Sequence, residues 1–489
     1  MSSQAPSLTD GPDAESLSAP TRTLLFGPLG STDVSSAVVH RLRAAIGLGL
    51  LPDGKRLPKE SELATQMGIT TFALREALAD LRQQGLLVTR AGKYGGSFVV
   101  HPVDSEDLER DELVSLSSAE LRDVGDWRQM LAAHAAALAA QRASKSSAAT
   151  LLDYAHRVAT AATGPEARRA HGRFHLELTS AAQSMRMTRA EFAVHEQVDW
   201  LFGLVLKDPD QREHSASALR EVAEAVRDHD SQRARAASER HVAQLIDRLA
   251  QLRLELMAAQ KPTARRRGGS SLGDQIEKVV QTFARQLTSY ASSVAPALAD
   301  GQGYQSIATQ VSLAGLQHFD AFPSFTQGIG TVAEVGVVPG HPYWIGYWQR
   351  SEDGPVADNH HVLDPEREDF YDYQHMEFVS RARETHELWS YGPYVDYGGV
   401  DDYILTIDAP ILHDGRFLGV SAADVLVADL ESWLAPWLAT AAESYLVNAE
   451  HRVIVSNSVR YRVGDIVAEI DEGECRQYPV FGWSLVTRP

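Results

Sequence analysis

His171 and His175 stand four residues apart in the run RRAHGRFHLEL. In a helix that spacing puts both imidazoles on one face, one turn apart. Such a pair can chelate Zn²⁺ or Ni²⁺ through its neutral ring nitrogens. Little other reactive chemistry is offered. The chain has no GxSxG, HExxH, P-loop or dinucleotide fingerprint. After residue 272 its one lysine is Lys278, inside a predicted helix, which leaves poor material for a Schiff-base enzyme. His360, His361 and His386 lack ligand spacing. The single cysteine, Cys475, excludes an internal disulfide framework and fits a reducing cytoplasm.

A second kind of chemistry, recognition of a charged polymer, is written between Leu57 and Val100. The order there is a short helix at Ser61–Met67, a turn at Gly68-Ile69-Thr70, and a second helix from Thr71 to Gln84. Leu74, Leu78 and Leu81 repeat at helical spacing in the second helix. Gly85 closes it, and two β-rich pieces flank the Gly92–Gly96 turn. Helix, turn, helix and hairpin wing together form an arrangement that seats a helix in the DNA major groove. The net charge of −19 looks wrong for that task until it is divided. Residues 273–489 carry 12 basic and 31 acidic side chains, residues 1–272 carry 34 of each, and residues 33–101 carry nine basic and six acidic. The DNA-reading end is mildly basic, and the acidic end should face away from phosphate.

The elements that must hold these residues divide the chain. At 489 residues it should contain about three domains of roughly 150 residues each. Residues 1–30 read as a disordered polar leader, and 31–102 as the winged module. Residues 107–258 read as an all-α bundle of roughly six helices, broken near Ser144–Ser147, Thr163–Pro165, Ser184 and Asp208–Asp210. Residues 259–272, with KPTARRRGGSS, form a linker. Residues 273–489 begin with an amphipathic helix at 273–299 and continue as an antiparallel α+β domain. No run is apolar and long enough for a bilayer span, and the polar N-terminus shows no basic n-region leading into an apolar h-region, so no signal peptide and a cytoplasmic protein without membrane contact are expected.

The winged stretch resembles the GntR family of bacterial regulators. The likeness is carried by Leu57, Pro58, Glu60, Leu63 and Ala64, then by Gly68, Arg75-Glu76-Ala77-Leu78, Leu81 and Gly85-Leu86. By position, the resemblance implies base contacts from Thr70 and Arg75, an arginine being able to bond guanine O6 and N7 together. Ser61 and Thr71 occupy positions where the family commonly has arginine, so the operator should be atypical. Arg90 and Lys93 of the wing are the expected phosphate contacts. A homodimer on a pseudo-palindromic double-stranded operator follows.

The bundle resembles the FCD effector domain of the same family. That resemblance implies a metal held by an Asp-x-x-x-His pair and two later histidines, with a carboxylate effector on top. Here the Asp position is His171, His175 is retained, the third position is Leu219, and His241 is retained. Two readings stand: a three-histidine site for Zn or Ni, or a degraded site in a domain kept for dimerisation.

From Gly273 onward the chain resembles a double-Cache sensor. The likeness rests on the leading helix, DPEREDFY at Asp364–Tyr371, PYVD at Pro393–Asp396, and the strand pair that ends at Asp424. In amino-acid-sensing members an arginine pairs with the ligand carboxylate, and aromatics with a distant aspartate hold its ammonium. The arginine position here is Glu368. The other positions are Phe370, Tyr371, Tyr394, Asp396 and Asp424, with Tyr347 or Trp348 from the YWIGYW strand. A box of aromatics and acids suits a cation, so a small amine without a carboxylate is the expected effector. Arg367, in a shifted register, would restore an amino acid. The function expected is a ligand-responsive transcription regulator and not an enzyme, a regulator fused to a catalytic domain being the rival reading.

Overall fold

The computed structural model describes residues 34–92, 95–100, 106–259, 271–300, 303–351, 354–358, 361–397, 399–400, 402–470 and 473–488. The chain divides into two compact units, one running up to Ser115 and over Asp123–Arg253, the other comprising Leu116–Arg122 and the chain from Leu254. Among the described residues no helix is long and apolar enough to cross a membrane.

The first unit opens with α1 (Val34–Gly47), α2 (Glu60–Met67) and α3 (Thr71–Gln83). Gly68 ends α2 at φ +70°, a conformation that costs a side chain strain. Two residues later Thr70 caps α3, its hydroxyl accepting from Ala73 N at 3.2 Å. Leu74, Ala77, Leu78 and Leu81 are buried, so Thr71, Phe72, Arg75 and Glu76 come to lie on the open side of α3. The wing is β1 (Leu87–Arg90) paired antiparallel with β2 (Gly96–Val99).

The bundle is α4 (Glu106–Ser115), α5 (Ser118–Arg142), α6 (Lys145–Thr160), α7 (Gly164–Ala181), α8 (Met185–Gln197), the short α9 (Phe202–Leu206), α10 (Pro209–Arg227) and α11 (Ser231–Ala259). Ser144, Thr163, Ser184 and Asp208 each cap the helix that follows. The roughly six helices expected omit one boundary that was legible. Ser117 and Glu120 exchange bonds, Ser117 N to Glu120 Oε2 at 2.7 Å and Glu120 N to Ser117 Oγ at 3.1 Å, and so separate α4 from α5. Small residues let the helices approach: Ala135, Ala136, Ala139 and Ala140 of α5 share a core with Ala216, Leu219 and Ala223 of α10. The core of the winged module reaches the bundle through Phe192 of α8. Arg173 of α7 donates to Leu48 O (2.9 Å) and Gly49 O (3.0 Å) in the turn after α1.

The second unit is built on α12 (Leu272–Ala299), whose N-terminus is a capping box of Ser271 and Asp274. It continues with α13 (Tyr304–Phe319), β3 (Thr326–Ala333), β4 (Ile345–Ser351), β5 (Gly354–Asp358), α14 (Glu377–Thr385), β6 (Trp389–Val395), β7 (Tyr403–His413), β8 (Arg416–Leu426) and α15 (Val427–Leu438). Then come β9 (Ser444–Val447), β10 (Val453–Ser456), β11 (Glu474–Tyr478) and β12 (Trp483–Thr487). Six strands form an antiparallel sheet in the order β5-β4-β3-β8-β7-β6, and four more form a second sheet in the order β10-β9-β12-β11. In the larger sheet Ile329, Trp348, Leu405, Ile407, Ala423 and Val425 join the core of α12 and α13. Alternation then sends Thr406, Asp408 and Asp424 to the opposite face. Leu116–Arg122 packs in this unit, where Ser118 donates to Glu431 from N (2.8 Å) and Oγ (2.9 Å).

Candidate functional site

Three groups of side chains carry chemistry. The first is the open face of α3 with the wing. Ser61, Thr70, Thr71, Arg75 and Arg90 are all exposed. Thr70 spends its hydroxyl on the cap, which leaves its methyl and edge free to meet a ligand. The Arg75 Nε lies 2.8 Å from Glu60 Oε2 with both side chains largely exposed, a contact that solvent weakens and that a stronger acceptor can displace. Arg90 sits over the Phe98 ring at 4.4 Å, a cation held flat against the wing. Lys93 lies outside the described residues. Two residues were missed in the sequence. Phe72 is 71% exposed beside Thr71. The exposed Arg56 bridges to Phe98 of the wing, its guanidinium running over Gly96.

The second group lies inside the bundle. His171, His175 and His241 are buried, and their ligating nitrogens lie within 4.8 Å of one another. His171 Nε2 and His241 Nε2 are 3.0 Å apart and share one proton. Neither ring nitrogen of His175 has a hydrogen-bond partner among the described residues. Burial, followed by the charge of Arg128, pushes the His175 imidazole well below its usual range. The same causes take His241 down to about 4. A borderline metal ion needs neutral imidazoles, and the proton held between His171 and His241 would have to leave on binding, so this donor set fits Zn²⁺ or Ni²⁺. Leu219, at the third position expected of a ligand, is buried in the apolar core and cannot contribute. His214 is exposed and bonds Asp210 O at 2.8 Å. A buried salt bridge of Arg128 with Glu191, extended by His195 Nε2 to Glu191 Oε1 at 3.2 Å, neighbours the three histidines.

The third group lies on the sheet face turned away from α12. Register sets Thr406 directly beside Asp424. Thr406 Oγ1 donates to Asp424 Oδ1 at 2.7 Å, so Tyr394, 3.1 Å from the same Oγ1, must donate into it. The relay runs Tyr394 to Thr406 to Asp424. Alongside, Tyr371 donates to Asp396 Oδ1 at 2.9 Å, and Val400 N donates to Oδ2 at 2.8 Å. A Cβ at Gly399 would fall 2.0 Å from Asp396 Oδ2, so this turn needs glycine. Gly328 similarly makes room for the Tyr347 hydroxyl, which a Cβ would meet at 2.1 Å. Burial and, more weakly, the nearby Asp396 charge raise Asp424 to about 7. Tyr371 and Tyr394 are held above the ordinary phenol range, first by burial and then by these carboxylates. Among the described residues no lysine or arginine pairs with Asp396 or Asp424.

Five of the eight expected residues therefore converge: Tyr347, Tyr371, Tyr394, Asp396 and Asp424. Trp348 does not, because strand alternation sends it to the helix-covered face against Gly315. Glu368 is exposed in the turn that starts at Asp364. Phe370 packs edge-on against Tyr343 at 4.8 Å. Arg367 pairs with Asp369 at 2.8 Å on the surface, so a shifted register does not bring it in. Three contributors were not foreseen. Thr406 links two expected residues. His361, dismissed for want of ligand spacing, lies 5.1 Å from the Tyr371 ring and 5.8 Å from the Tyr347 ring. Asp408, two positions along β7, is fully buried with neither carboxyl oxygen bonded among the described residues.

Two family patterns match the chain: bacterial regulatory proteins of the gntR family over residues 34–99, and the FCD domain over residues 123–244. A putative HTH-type transcriptional regulator of Mycobacterium gastri, RmpR, is 34% identical over 245 residues, which is 49% of this chain and 89% of that protein. Among solved structures, the E. coli protein McbR/YncC is 18% identical with a TM-score of 0.29, covering 46% of this chain and 99% of its own. A methyl-accepting chemotaxis protein is 14% identical with a TM-score of 0.33, covering 44% of this chain and 91% of its own.

Proposed function

The chain belongs to the gntR family of bacterial regulatory proteins, carries an FCD domain and is a transcription regulator, and we propose that it is a cytoplasmic one-component switch that binds operator DNA as a homodimer and answers to a small cationic amine. The observation that carries the amine is the pair Asp396 and Asp424, buried among Tyr347, Tyr371 and Tyr394 with no cationic partner among the described residues. A desolvated carboxyl pair of this kind is stabilised by an incoming ammonium, through charge-assisted hydrogen bonds and contact with the aromatic faces. An amino acid is less well served, because among the described residues no arginine stands ready for its carboxylate and Arg367 is paired with Asp369.

The way out of the site is the sheet itself. Strands β7 and β8 carry Thr406 and Asp424 on one face and bury their other face on α12, where Ser421 Oγ donates to Leu287 O at 3.0 Å. An ammonium that draws Asp424 and Asp396 together moves these strands against α12. The shift reaches the DNA only as far as the amine prefers one state of the protein to the other. The α3 face supplies the reading surface, with Arg75 exchanging Glu60 for a guanine edge and Thr71, Ser61 and Arg90 placed for the backbone or neighbouring bases. The wing residue Lys93 joins this set by its place in the sequence.

A second reading rests on His175, whose ring nitrogens have no hydrogen-bond partner among the described residues. His171, His175 and His241 would hold a Zn²⁺ or Ni²⁺ ion, which when bound supplies positive charge for a carboxylate effector. The two readings are separated by one experiment. DNA fragments selected by the full chain are titrated with and without a panel of primary amines, diamines, amino acids and carboxylates. A change in DNA affinity with amines alone supports the first reading. A change with carboxylates alone, lost on chelation, replaces it with the second.

A further inference from the structure

A cavity of about 500 Å³ lies within the first unit, where the winged module meets the bundle. It is walled by Ile46 and Leu86 on the winged side and by Pro165, Arg168, Arg169 and Trp200 on the bundle side. That volume is typical of a small-molecule site, and the mix of apolar walls with a few charged groups is typical too. It shares no residue with the three-histidine cluster or the acidic cluster of the second unit.

The charges in the cavity can be matched one by one. Arg43 donates to both oxygens of Glu112, at 3.0 and 3.3 Å. Arg168 and Glu109 meet at Gly203, each with an atom within 3.8 Å of the point a Cβ there would occupy. Asp111 is exposed to water. That leaves Arg169, half-buried, with no acceptor among the described residues. A half-buried guanidinium beside apolar walls is a receptor for a carboxylate with an apolar body. We infer that this cavity binds an amphipathic monocarboxylate, its carboxylate on Arg169 and its apolar part against Ile46, Leu86, Pro165 and Trp200.

Occupancy has a direct mechanical consequence. The stem of Arg169 passes over Gly49, whose Cβ would meet its Cδ at 3.2 Å and whose φ is +66°. The same Leu48–Gly49 turn takes both hydrogen bonds of Arg173. A ligand that fixes Arg169 therefore fixes the turn joining α1 to the rest of the winged module.

The test is calorimetric titration of the full chain with 1-naphthoate, using neutral 1-naphthamide as control. Arg169→Met keeps the apolar stem over Gly49 and removes the charge, and Arg169→Lys restores it. The inference predicts that naphthoate binds and that naphthamide and Arg169→Met each bind about ten- to a hundredfold more weakly. Arg169→Lys recovers part of the loss. His175→Ala and Asp424→Ala leave naphthoate affinity unchanged, which separates this site from the other two. No binding of naphthoate, equal binding by folded Arg169→Met, or loss in His175→Ala or Asp424→Ala would overturn it.

Discussion

The two buried clusters are chemical opposites under the same physical rule. In the bundle, His171, His175 and His241 are bases with no carboxylate among them, and burial holds His175 and His241 below their usual range. In the C-terminal sheet, Asp396 and Asp424 are acids with no base bonded to them among the described residues, and burial lifts Asp424 to about 7. Desolvation drives His175 and His241 in the one, and Asp424 in the other, toward the neutral form. On the functions proposed above, the imidazoles would take a metal ion and the carboxyls an ammonium. The difference lies in how much is already satisfied. Asp424 and Asp396 sit in completed hydrogen-bond chains from Thr406, Tyr371 and Val400, whereas His175 has none among the described residues. One cluster is set to grip a donor, the other to coordinate.

The comparison can be broken at several points. The largest effect is expected at the histidines. Purified full chain should carry Zn or Ni by elemental analysis, and His175→Ala should lose it by more than tenfold, since two imidazoles make a poor site. Absence of metal from the wild type would leave the bundle a dimerisation domain. Next comes the DNA face. Arg75→Ala should cost about 1–3 kcal/mol of specific binding, from loss of a bidentate base contact. Unchanged affinity for selected fragments would remove Arg75 from the reading surface.

A smaller effect is expected from pH. Asp424 is held at about 7, well above the ordinary aspartate value of 3.8. Over that window the native protein keeps a proton that the unfolded chain gives up, so this group's contribution to stability falls as pH rises from the lower value to the upper. Amine binding runs the other way, because an ammonium needs the carboxylate. Amine affinity should therefore rise with pH up to about 7, by at most about tenfold per unit, and flatten above. Asp396, Tyr371, Tyr394 and His361 face the same cluster, so Asp424→Asn should abolish this slope while leaving any slope from those neighbours. The smallest effect belongs to Thr70→Ala, which removes the α3 cap and should cost about 1 kcal/mol in thermal or denaturant unfolding.

Much of this was legible before the fold. The α3 helix and its wing follow from Leu74, Leu78 and Leu81 and from the glycines at 68 and 85, because local capping and periodicity settle those elements. Ser144, Thr163, Ser184 and Asp208 marked helix starts for the same reason. What local rules do not carry is the face a strand presents. Tyr347 and Trp348 were interchangeable in the sequence, and only pairing with Gly330 and Ile329 turns the first toward Asp424 and the second into the helix core. Glu368 drew attention through motif position, yet its turn leaves it exposed. Thr406 went unremarked because its partners are distant in the chain, and His361 was set aside because it has no regular ligand spacing. The counter-ion of Arg75, Glu60, is 15 residues away and was hidden likewise.

We propose above that the tyrosine and aspartate cluster of the C-terminal sheet takes an ammonium. Calorimetric titration of the full chain, and of Asp424→Ala, with matched primary amines and the corresponding amino acids tests it most directly. The amines should bind, the amino acids should bind at least about tenfold more weakly, and Asp424→Ala should lose the amines by about 30-fold or more. Amine binding that survives Asp424→Ala, or amino acids that bind more tightly than their amines, would contradict it.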